Sequence, residues 1–197
     1  IGKKTQAERD LNTAENLEQQ ITKEREALKL RAMVQEAEAL FRNRDFEEAI
    51  KIYTKAISLS PNNVLLYRDR SRAYSLISDY ENAINDLNKA IEINPRSADL
   101  YMWRGHAYGG GGDHYMAKEN YSQAIRLVPN HSDAYYYRGW IKQGEGDKRG
   151  ALADFNKGCK LGNKEACERA SRLKKEMSDS RHKNRMKDWT QADNVGT

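Results

Sequence analysis

Prolines are scarce in this chain, three in 197 residues, and cysteines scarcer, with two. Two cysteines cannot make a disulfide framework, and with no histidines beside them they cannot make a zinc site. Apolar residues reach only 38% against 32% charged, a balance that suits helices with one wet face and a thin core rather than a compact enzyme. No run of about 18 apolar residues occurs, so no membrane-spanning helix is expected. The start, Ile1-Gly2-Lys3-Lys4, also lacks the apolar run of a signal peptide. Residue 1 is Ile and not Met, so the chain is expected to be a processed or trimmed product. A removed leader stays open, and the compartment with it, cytoplasmic or extracytoplasmic. The net charge of +5 is uneven: ten Lys/Arg face six Asp/Glu from Lys160 onward, whereas residues 1–159 carry 24 against 23.

What is present is a repeat. Pro61, Pro95 and Pro129 lie 34 residues apart, and other columns keep the same register. Tyr67, Tyr101 and Tyr135 form one, Tyr74 and Tyr108 another, and Ala49, Ala83, Ala117 and Ala151 a third; Ala56, Ala90 and Ala124 become Gly158 in the last copy. Four copies follow, at 30–63, 64–97, 98–131 and 132–165. Helical apolar spacing around Leu65-Tyr67-Ser71-Tyr74 and again around Ala83-Ile84-Leu87-Ala90-Ile91 predicts two helices per copy. Asp45, Asp79, Asp113 and Asp147 stand where the second helix must begin, and proline closes it. Arg70 and Arg138 share a column, with Asp86 and Asp154 sixteen residues later, which predicts a salt bridge between the two helices of a copy; the third copy pairs Arg104 with Asn120.

These columns resemble the tetratricopeptide repeat, the third copy best: Tyr101-x2-Arg104-Gly105-x2-Tyr108, then Ala117, Tyr121 and Pro129. The resemblance implies an all-α fold, a right-handed superhelical solenoid of helix pairs. The fourth copy departs from the pattern, with Lys142 in the tyrosine column and Asn163 in the proline column. It is read as the end of the repeats, closed by a capping helix over 164–177.

Residues 1–29 read as a charged amphipathic lead helix, with Ala7, Leu11, Ala14, Leu17, Ile21 and Leu28 on one stripe. Packing on the first repeat as a cap, or pairing with a partner helix, is preferred over pairing with its own copy. Residues 178–197 read as a basic flexible tail whose one large apolar residue, Trp189, could anchor on a partner. The run Gly109-Gly110-Gly111-Gly112 has neither the strand before it nor the Lys-Ser/Thr after it that a phosphate loop needs, and is expected to fray its helix and act as a hinge. The stretch from Gly158 to Cys167 resembles the cysteine-paired SEL-type relatives of these repeats, in which such a pair clasps one helix to the next. For Cys159 and Cys167 a bridge and two buried free thiols both stay open.

The family lines its concave wall with the first helix of each copy. Carried over, this places Arg68 and Arg72, then Met102, Trp103 and His106, then Tyr136, Tyr137 and Trp140 in a peptide-binding groove running from basic to aromatic. Rings beside arginines are typical of protein-binding hot spots. The expected function is a non-catalytic interaction scaffold holding a peptide segment or helix with apolar residues at one end and acidic residues at the other. The chaperone carboxylate tail held by some family members is disfavoured, because Val34, Glu38, Asp69 and Trp103 stand where a Lys/Asn/Arg clamp would be. Nucleic acid is disfavoured by the neutral body. An assembly subunit held by its lead helix and tail is a further alternative. No nucleophile, base or metal cluster can be assembled, so no catalytic residue, metal or cofactor is expected.

Overall fold

The computed structural model describes residues 5–193, with side chains described at residue 5 and over residues 11–180. Within these residues the chain forms nine α-helices: α1 Gln6–Arg42, α2 Phe46–Leu59, α3 Val64–Leu76, α4 Tyr80–Ile93, α5 Ala98–Gly110, α6 His114–Leu127, α7 Ser132–Gly144, α8 Lys148–Lys160 and α9 Lys164–Asp193. They fall into two compact units, divided between Ile93 and Asn94.

In the first unit each helix packs on the next, α1 on α2, α2 on α3 and α3 on α4. Its core gathers Ala37, Ala49, Tyr53, Ala56 and Leu66, with Met33, Val34 and Phe41 packed against it. The alanine columns are fully buried, which lets helix backbones approach closely. The lead helix is not a separate element. It runs unbroken into the first repeat as α1, because Ala27-Leu28-Lys29-Leu30-Arg31-Ala32 holds only good helix formers and no breaker. Residues 11–29 are all exposed, Leu11 by 61% and Leu28 by 67%, so this segment does not cap the first repeat.

The second unit follows the same rule from α5 through α9. One core holds Met102, Ala117, Tyr121 and Ala124, and another holds Ala151, Phe155, Ala170 and Leu173 from α8 and α9. Among the described side chains, the last of α9 that packs inward is the half-buried Met177, within the span expected for a capping helix. The helix itself continues to Asp193, through most of the segment read as a flexible tail, since no Gly or Pro occurs over 163–195 to stop it. The Trp189 side chain lies outside the described residues.

The turn between the two helices of a copy has one geometry throughout. Arg44, Ser78, Gly112 and Gly146, spaced by the repeat, have φ of 68°, 63°, 87° and 85°. Gly112 therefore meets a left-handed position, where a Cβ is disfavoured. The glycine run does not fray its helix, because α5 ends at Gly110 in register with Leu76 and Gly144. Asp79, Asp113 and Asp147 accept backbone N–H groups from Asn82, Met116 and Gly150 at 3.2, 2.9 and 2.9 Å; Asp45 makes no such side-chain bond. The tyrosine and proline columns are coupled: Tyr67 donates to the carbonyl of Pro61 at 3.0 Å and Tyr135 to that of Pro129 at 3.3 Å.

Between the two helices of a copy the arginine column lies on its partner sixteen residues later, an aspartate in the second and fourth copies and an asparagine in the third. Arg70 donates from Nε and Nη2 to Asp86 at 2.8 and 2.6 Å, and from Nη1 to Thr54 on α2 at 2.8 Å. Arg104 donates to the Asn120 amide oxygen at 2.8 Å. The guanidinium carbons of Arg70, Arg104 and Arg138 also stand 5.9, 5.3 and 5.5 Å from the rings of Tyr67, Tyr101 and Tyr135, within cation–π range.

Candidate binding surfaces

In the first unit, Arg68 and Arg72 line a depression of about 330 Å³ with Glu38, Phe41, Arg42, Tyr53 and Asp69. Their charge is shared internally. Arg68 donates to both carboxylate oxygens of Asp69 at 2.9 and 3.2 Å, and Arg72 Nη1 lies 3.6 Å from the same carboxylate, its guanidinium 4.9 Å from the centre of the Phe41 ring. Burial, with Asp69 and Glu38 adding to it, pushes the Tyr53 phenol up to about 12, so it remains a neutral hydrogen-bond donor. The wall read as basic is thus mixed in charge.

In the second unit, Trp103, His106, Tyr136, Tyr137 and Trp140 form one continuous chain of ring contacts. His106 lies 5.5 Å from Trp103 and 4.0 Å from Tyr137, Tyr136 lies 5.0 Å from Tyr137, and Trp140 stands perpendicular to Tyr136 at 6.3 Å. Helical spacing on α5 and α7 brings these five residues together. Met102 does not join them. It is 8% exposed and packs in the core with Ala117, Tyr121 and Ala124, because one residue's step of about 100° carries it from the surface stripe of Trp103 to the buried face. Burial lowers His106 to about 4 despite the opposing pull of Asp133, so the ring is neutral near pH 7.

Tyr136, Tyr137 and Trp140 wall a pocket of about 630 Å³ completed by Asp133, Asn163 and Glu165. Trp140 is 41% exposed, and the Arg169 guanidinium lies 3.9 Å from its ring centre. Asn163 works twice: its amide oxygen caps α9 by accepting the Ala166 N–H at 2.6 Å, and its amide nitrogen donates to Asp133 at 2.8 Å. Cys159 and Cys167 are joined by a disulfide, Cα atoms 4.6 Å apart, which ties α8 to α9 around the turn carrying Asn163. Sequence reasoning missed Asp133, Asn163 and Glu165 as pocket residues. The sign available was Asn163 itself, the residue that breaks the proline column.

Among the described residues no three His, Cys, Asp or Glu side chains converge as metal ligands, and no helix is long and apolar enough to cross a membrane.

Within each unit, helix pairs that follow a 34-residue period with small residues at the close contacts, and in the second unit an aromatic surface on the first helices, define a helical-repeat binding protein. Three tetratricopeptide-repeat models match, over residues 6–64, 37–104 and 98–131. The chain belongs to the tetratricopeptide-repeat family. Among solved structures it is similar to the crystal structure of MamA, at 26% identity over 70% of this chain and 80% of that one, with a TM-score of 0.63. It also shares its fold with MamA 41-end from Desulfovibrio magneticus RS-1, at 23% identity over 67% of this chain and 75% of that one, TM-score 0.62. The first TPR of Spaghetti (RPAP3), bound to the HSP90 peptide SRMEEVD, matches at 26% identity over 59% of this chain and 93% of that one, TM-score 0.56. No curated protein sequence matches.

Proposed function

We propose that the protein is a non-catalytic scaffold that holds a segment of a partner protein against the first helices of its repeats. The observation that carries this reading is the pocket walled by Tyr136, Tyr137 and Trp140. A half-exposed tryptophan beside two tyrosines in a concavity of about 630 Å³ is what a partner side chain fills. That a similar structure, the first TPR of RPAP3, holds a peptide adds support. The depression at Arg68 and Arg72 is a second contact, on the first unit. An acidic residue of the partner would meet both guanidiniums there, in competition with Asp69. Glu38 and Asp69 in the same depression oppose a multiply acidic chaperone tail.

Affinity capture with the intact chain and with the Trp140→Ala variant tests this reading. Loss of partners from the variant, with helical content unchanged by circular dichroism, is the expected result; identical partner sets would overturn it.

A second reading, assembly through the lead helix, is favoured by one observation. Leu11, Leu17, Ile21 and Leu28 are all exposed along residues 11–29 of α1. Replacing Leu17 and Ile21 by Glu would then abolish a complex that Trp140→Ala leaves intact.

A further inference from the structure

We infer that the aromatic pocket of the second unit receives a basic side chain, a lysine or arginine of the partner segment; this rests on the proposal that the pocket binds a peptide, and specifies which residue it takes. Three rings supply the walls, with Tyr136 inclined 67° to Tyr137 and 90° to Trp140, so the ring planes around the pocket lie in different directions. Ring faces carry the negative side of the aromatic quadrupole and attract cations. The remaining lining is two carboxylates and one amide, Asp133, Glu165 and Asn163, with no lysine or arginine among the described lining residues. Neither carboxylate belongs to an ion pair among the described residues. Asp133 accepts hydrogen bonds from the neutral groups of Asn163 and Ser132, at 2.8 and 3.3 Å.

Each carboxylate sits in the first turn of its helix, Asp133 on α7 and Glu165 on α9, where the helix dipole favours negative charge. That explains each one alone. It does not explain why two helices bring them to the rim of one aromatic pocket, across a turn clamped by a disulfide and by the bond from Asn163 to Asp133. An acidic guest would be repelled by both carboxylates, and an apolar guest would strip water from them without returning a partner. A cation on an aliphatic stem satisfies rings and carboxylates together. The same surface already shows the chemistry, because Arg169 lies over Trp140 at 3.9 Å.

The experiment is selection from a displayed library of random short peptides on the full chain, followed by affinity measurement for the selected peptides. Selected sequences should share a lysine or arginine whose replacement by methionine weakens binding by roughly tenfold or more. The Asp133→Asn/Glu165→Gln variant should bind the parent peptide about tenfold more weakly, with a flatter salt dependence, and should no longer distinguish lysine from methionine. Peptides that anchor through apolar or acidic residues and bind this variant as well as the wild type would overturn the basic guest while leaving the peptide-binding reading in place. Failure to select any peptide, or equal binding by Trp140→Ala, would overturn both. Thermal melting of each variant separates lost recognition from lost folding.

Discussion

Arg138 and Asp154 are locked together across α7 and α8: Nε and Nη2 of the guanidinium donate to the two carboxylate oxygens at 2.9 and 2.8 Å. The arginine's remaining arm reaches Ser122 on α6 at 3.2 Å, and Lys142 adds a second cation to Asp154 at 2.8 Å. The lysine that departs from the tyrosine column thus belongs to this network. One side chain ties the two helices of its own copy to the second helix of the copy before, as Arg70 does through Asp86 and Thr54.

Removing the carboxylate should therefore hurt more than removing one ordinary contact. Asp154→Ala leaves Arg138 and Lys142 half-buried without their anion and should lower stability by about 3 kcal/mol. Asp154→Asn should lose about 1 kcal/mol, since Asn120 serves Arg104 in the same place. Urea denaturation midpoints of the two variants, compared at fixed salt, check the difference.

Size is matched as tightly as charge. A Cβ on Gly105 would stand 2.7 Å from Cε1 of Tyr121, and one on Gly139 would stand 2.8 Å from Cε1 of Phe155. Gly105→Ala should lower stability by about 1–3 kcal/mol through overpacking. Adding Tyr121→Leu should recover part of that loss, because the second copy combines Ser71 with Leu87 in these two columns. A thermodynamic cycle over both single variants and the double variant measures the coupling.

Acid should loosen the aromatic surface through His106. Its folded pKa, about 4, lies below the ordinary 6.5 because burial disfavours the cation, so the unfolded chain takes up the proton first as pH falls. The stability linked to this group is complete above pH 6.5 and is lost progressively between 6.5 and 4, by up to about 3 kcal/mol. A His106→Phe variant should show a flatter stability profile across that window, read by tryptophan fluorescence during chemical unfolding.

The bridge between Cys159 and Cys167 closes a short loop. Cys159→Ser/Cys167→Ser should lower stability by about 2–3 kcal/mol. Since Asn163 and Glu165 lie within that loop, the variant should also lose order at the pocket before the rest of the unit opens. Hydrogen exchange at Asn163–Cys167, compared with α5 and α6, resolves the two effects.

Much of the architecture was open to reading from the chain alone, because its signals are local. Period, proline and alanine columns, and the aspartates at helix starts all act within a few residues of themselves, and the helix pairs appear where they point. Helix ends were read less well where a breaker is missing rather than present. Nothing stops α1 at residue 29 or α9 at 177, so both run on, whereas the glycine run that suggested fraying fits a turn needing only Gly112 in the left-handed region.

The site was legible as a stripe of residue types and not as a surface. The resemblance to the repeat family put Trp103, His106, Tyr136, Tyr137 and Trp140 on one wall of the first helices, and their rings do touch in sequence along α5 and α7. Met102 went to the core, Arg68 and Arg72 turned out to share Asp69, and Asp133 and Glu165 met at one pocket rim. Those outcomes depend on how far each helix is rotated against its neighbours and on which charges meet across the gap. The repeat follows from residue spacing, whereas the charge and shape of the binding surface follow from packing between elements distant in the chain.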